Sequence, residues 1–135
     1  MLSEKKLSPE QSFEISDAMQ AAAAVALMLR LEIKDSLPAQ EYQMLVEKET
    51  ALRYDADRYR AVGIKLLANN GALTARNLIS AIDQAARSIS TTRDIRRVLN
   101  ILNRLAALSA TIAVGTVQDI LEQVAELKAT VKASA

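Results

Sequence analysis

The chain has 135 residues, a formal net charge of +1 and a hydrophobic fraction of 50%, which is the length of one domain with enough apolar material for a core. It contains no Cys and no His, and this removes disulfides, thiolate nucleophiles, zinc-finger sites and the usual serine triad. Three Gly, two Pro, one Phe and no Trp argue against a turn-rich sheet protein and for a few long helices packed through aliphatic side chains.

Residues 1–7 read as a loose tail. Their segment Met1-Leu2-Ser3-Glu4-Lys5-Lys6 lacks the apolar core of a signal peptide, so a cytoplasmic location is expected. Ser8-Pro9-Glu10-Gln11 is a helix start, with Ser8 as cap and Gln11 completing a capping box. A first helix to about Asp35 follows, its apolar residues Ile15, Met19, Ala22, Val25, Leu29 and Ile33 at helical spacing. From Ala21 to Leu29 every residue is apolar, so this stretch is expected to be buried on several sides. A membrane span needs about twenty such residues, so none is expected.

Pro38 opens a second helix predicted to run to about Asn69, with Asn70-Gly71 as its C-cap. Leu45, Leu52, Tyr59 and Leu66 repeat every seven residues in a coiled-coil-like seam, with Val62 beside it. Glu49, Arg53 and Asp57 lie at i,i+4 spacing and read as a solvated face. A third helix starts near Thr74 with Ala75, Leu78, Ile79, Ile82, Ala85, Ala86 and Ile89 on one side. Ser90-Thr91-Thr92 makes the next turn, with Thr91 as the expected cap. A fourth helix runs from Arg93 on Ile95, Val98, Leu99, Leu102, Leu105 and Ile112, and Gly115-Thr116 ends or kinks it. A possible fifth helix carries Val117, Ile120, Leu121, Val124, Leu127 and Val131 inward, and residues 133–135 are expected to fray. The predicted fold is therefore a single-domain, all-α up-down bundle of four to five helices.

The first two helices come out about 28–32 residues long, roughly 42–48 Å, and the third about half that. Part of the long hairpin is thus expected to be bare in a monomer. Ala22, Val25 and Leu29 are the expected homo-oligomer interface, most simply that of a two-fold dimer.

Three chemistries are open to this sequence. Glu14 with Asp17, and Glu32 with Asp35, form i,i+3 carboxylate pairs of the kind that all-α magnesium-dependent nucleotide pyrophosphohydrolases use. The pairs lie roughly 27 Å apart on one helix, so only a dimer could bring them together. No catalytic residue, metal ligand or cofactor is assigned. Charge is uneven: residues 1–50 hold nine acids and five bases, whereas residues 72–104 hold six Arg and two Asp. Arg87, Arg93, Arg96 and Arg97 gather about one turn and make a possible patch for phosphate, nucleic acid or an acidic protein. The competing expectation is that these arginines pair with Glu32, Asp35, Glu41, Glu47 or Glu49. Nucleic acid is not favoured, because aromatic interleaving and a basic net charge are absent. The third chemistry is membrane insertion of Leu105–Gly115, against which burial of that stretch is expected. The expected function is a non-enzymatic interaction protein of the adaptor, immunity or regulatory type, binding itself and another protein.

Overall fold

A computed structural model describes residues 4–6, 9–61, 65–67, 75–92, 94–114 and 117–133. Its five helices are α1 (Pro9–Ile33), α2 (Ala39–Ala61), α3 (Ala75–Thr91), α4 (Ile95–Val114) and α5 (Val117–Ala133), the all-α bundle expected from the composition. A 3-10 turn, Lys34–Ser36, continues α1. Pro38 precedes α2: its carbonyl accepts the Tyr42 N–H at 3.0 Å, so it stands at the capping position and Ala39 takes the first helical one.

Two features depart from the sequence reading. Helix α2 ends at Ala61, not near Asn69. Beyond it Lys65–Leu67 forms strand β2, antiparallel to strand β1 (Glu4–Lys6) inside the expected tail. Leu66 therefore sits opposite Lys5 in this ribbon and does not extend the heptad seam. The intervening Gly63 disfavours helix by about 1 kcal/mol relative to Ala, and a backbone partner for Lys65–Leu67 was available elsewhere in the chain. At the other end, Ala133 belongs to α5 rather than to a frayed tail. The expected C-cap Asn70-Gly71 lies outside the described residues.

The α3–α4 junction is capped differently from expectation. Thr91 ends α3, its hydroxyl donating to the Ser88 carbonyl at 3.3 Å. Asp94 is the cap of α4: its carbonyl accepts the Val98 N–H at 3.0 Å and its Oδ1 accepts the Arg96 N–H at 3.0 Å. A carboxylate in this position satisfies a free amide and complements the helix dipole.

Helix α1 packs on α2 and α3, α2 on α4, α4 on α5, and α5 on α3. The five helices close a ring in the order α1–α2–α4–α5–α3. The consecutive pair α3 and α4 makes the lesser contact. Inside the ring Ile15, Met19, Leu45, Leu52, Leu78, Ile82, Ile89, Ile101 and Leu102 are fully buried. No buried core residue among those described is aromatic. Leu105, Leu108 and Ile112 are in this core, so the stretch weighed for membrane insertion is the inner face of α4.

The segment Glu10–Ser36 is long and apolar enough to cross a membrane, with mean hydropathy 1.2 over its best window. Within the bundle 44% of that window is buried.

Candidate functional site

The polar groups between helices hold the scaffold together. Arg30 on α1 meets Glu49 on α2 through two hydrogen bonds, Nε to Oε2 at 2.7 Å and Nη2 to Oε1 at 3.1 Å. Arg30 Nη1 also donates to the Tyr42 hydroxyl at 2.6 Å, and the guanidinium lies over the Tyr42 ring at 4.9 Å. Glu49 is 2% exposed, a correction to the solvated face read from its spacing with Arg53 and Asp57. Those two residues are exposed; Glu49 is turned inward, where Arg30 supplies a fork that matches its carboxylate. The hydrogen bond to Glu49 holds Arg30 above its ordinary pKa; burial opposes this, and attraction to Glu49 and Tyr42 adds to it.

Along the same α1–α2 seam the buried Ser16 hydroxyl donates to the Ala56 carbonyl at 2.8 Å. Gln20 Nε2 reaches Asp57 Oδ1 at 3.4 Å. Across the ring, the fully buried Ser109 donates to Asp55 Oδ2 at 3.1 Å and ties α4 to α2. These donors and acceptors satisfy one another within the fold.

The expected oligomer interface does not survive in its first form. Ala22 is fully buried and Leu29 is 3% exposed, both in the core of the single chain; Val25 is half-buried against it. An all-apolar stretch gives no sign of which side turns inward, and α2 and α3 take the Ala22–Leu29 side. The opposite side faces solvent. There Ala21, Ala24, Met28 and Leu31 are exposed, Met28 by 70% and Leu31 by 53%. Their spacing of three or four residues aligns them into one stripe. Exposed acids close both ends: Glu10, Glu14 and Asp17 before it, Glu32 and Asp35 after it.

Three of the four arginines of the sequence-predicted patch are among the described residues. Arg93 lies outside the described residues. Arg96 is exposed and Arg97 half-buried, with the Arg97 Nε buried and lacking a hydrogen-bond partner among the described residues. Arg87 is on the polar ridge of α3. Ser80, Gln84 and Arg87 stand on this ridge between two shallow grooves. The groove toward α1, about 550 Å³, is mixed in charge: Glu14 and Asp83 face Arg76 and Arg87. Toward α5, hollows of about 470 and 340 Å³ share Gln84, Ser88 and Val131. Lys128 and Lys132 supply the charge in the first and Arg87 in the second, and no carboxylate among the described residues lines them. No ion pair to Arg87, Arg96 or Arg97 is found among the described residues, whereas Arg104 does pair, with Glu126 at 2.7 Å.

The carboxylate pairs remain apart. Glu14 lies against α3, Asp35 is in the 3-10 turn, and no group of three acids among the described residues could hold a metal ion. Comparisons with family models, curated proteins and solved structures gave no match to this chain.

Proposed function

We propose that this protein acts by binding other proteins, without catalysis, and that the outward stripe of α1 is its docking face. The single observation that carries this reading is the exposure of Met28 and Leu31 on a helix whose other side is already in the core. A large apolar side chain left in water forfeits roughly 1.5–3 kcal/mol of burial, and two in one stripe make a hydrophobic anchor row. The stripe has the spacing with which a helix face receives a second helix. Acids at both ends select a partner helix whose flanks are basic. They oppose an antiparallel second copy, which would bring Asp17 toward the copy's Glu32 and Asp35. Self-association through α1 would therefore use Ala24, Met28 and Leu31 against this repulsion.

The test uses a fluorescein-labelled amphipathic helical peptide with a Leu stripe and Lys at both ends. Fluorescence anisotropy is expected to give saturable binding that falls at least tenfold in a protein carrying Met28→Gln and Leu31→Gln. Light scattering is expected to give 14.7 kDa for the free protein. Binding that ignores the two substitutions overturns the docking face. A stable dimer that the same substitutions dissociate assigns the stripe to self-association instead.

A further inference from the structure

We propose that the groove between α3 and α5 is a second binding site, for a short acidic segment of a protein. It is independent of the α1 stripe: it lies on other helices and selects the opposite charge.

The lining carries the argument. Lys128 and Lys132 on α5 line one hollow of this groove, and Arg87 on α3 lines the adjoining hollow, which shares Gln84, Ser88 and Val131 with the first. All three are exposed. Lys128 and Lys132 are one helical turn apart, so both point the same way. None has an ion pair among the described residues, and the α5 acid nearest in sequence, Glu126, is held by Arg104. Between the cations stand neutral groups, Ser80, Gln84 and Ser88, able to donate to oxygen. The lining has the composition of an anion receptor: cations, neutral donors and, among the described residues, no competing carboxylate.

Length and charge then choose among anionic ligands. From Asn77 to Thr91 the α3 wall runs roughly 21 Å, which suits an extended segment better than a lone phosphate. Val131 adds an apolar contact to the floor, a match for an aliphatic residue beside the acids. Stacking on aromatics, the usual way to hold single-stranded bases, has no residue to perform it in this lining. The molecule as a whole carries only +1, and Glu14 and Asp83 stand just across the α3 ridge. A long polyanion would run into those acids within a Debye length of about 8–10 Å. A short acidic segment need only meet the groove.

The experiment titrates the full chain with a fluorescein-labelled peptide of alternating Glu and Val, at low salt of about 50 mM. Three proteins are compared: the native chain, Arg87→Glu with Lys132→Glu, and Arg53→Glu with Lys34→Glu. The last pair removes the same charge from exposed positions outside the groove's lining. The proposal expects saturable binding to the native chain, at least tenfold weaker in the groove variant and within twofold in the control. Lys128→Gln with Lys132→Gln gives the same comparison should the charge reversal disturb folding, which circular dichroism reports. Absence of saturable binding overturns the proposal. So does an equal loss in groove and control variants, which would make the attraction one of net charge. Tighter binding of an oligothymidine of matching length overturns it in favour of a nucleic-acid groove. The Met28→Gln, Leu31→Gln protein must bind the acidic peptide normally, which keeps failure at one site distinct from failure at the other.

Discussion

Helices α1 and α3 are neighbours in the ring and bury comparable aliphatic faces, yet they offer opposite chemistry to water. Helix α3 is cleanly divided: Leu78, Ile82 and Ile89 go in, while Arg76, Ser80, Asp83, Gln84 and Arg87 stay out. Helix α1 is not. Its core side is Ile15, Met19, Ala22, Ala26 and Leu29, and its solvent side is again apolar from Ala21 to Leu31. Folding alone requires one apolar face per helix. The α3 pattern is accounted for by the core; the second apolar face of α1 is not, and the proposed function rests on that surplus.

The comparison can be broken most severely at the inner seam of α1. Glu49→Ala would leave the half-buried Arg30 without its carboxylate and empty the space of the buried Glu49, and we expect a loss of about 3–5 kcal/mol in urea unfolding. Replacing both partners, Arg30→Met with Glu49→Leu, is expected to recover most of that loss, because the burial cost of the charges goes with them. A result in which the double variant is worse than Glu49→Ala would mean that the pair stabilises the fold outright. Next in size, Leu29→Ala is expected to cost about 2–5 kcal/mol as a core truncation, whereas its neighbour Met28→Gln should stay within about 0.5 kcal/mol. Equal effects at positions 28 and 29 would contradict the two-faced reading of α1.

Four helices were legible from their long apolar periods and the break at Pro38, whereas Gly115-Thr116 left open whether the fourth helix kinks or a fifth begins. The sequence hid what depends on a partner distant along the chain. The inward turn of Glu49 follows from Arg30, 19 positions away. The β1–β2 ribbon joins Glu4–Lys6 to Lys65–Leu67. The groove brings α3 and α5 together, with Arg87 in one hollow and Lys132 in the adjoining one, an arrangement that no local run of charge announces. Position within a stretch that is apolar all round is equally unreadable, since periodicity has no phase there. Ala22 and Leu29 were for that reason placed at an interface, and they are core.

Smaller effects sharpen the picture. Asp94→Ala should cost about 1 kcal/mol by removing the α4 cap, while Thr91→Ala, at the position first expected to cap, should cost less. The stabilising contribution of Arg30 has a defined sign with pH. Its folded-state pKa is raised, so the contribution is fully present at every pH below the arginine range and is lost only as arginine itself deprotonates. Its share of stability should be flat between pH 6 and pH 9, measured as the coupling in a thermal double-variant cycle with Glu49→Gln. A coupling that changes across that interval would show that another titrating group governs the seam.

The central claim is that the outward face of α1, and not the α3 ridge beside it, receives a basic amphipathic helix. Amide chemical-shift mapping of the isotopically labelled full chain during titration with the Leu-striped, Lys-flanked peptide tests it most directly. The largest saturable shifts are expected at the amides of Ala24 to Leu31, with Ser80 to Ser88 unmoved. Shifts centred on α3 and α5, or none in α1 at peptide saturation, would contradict it.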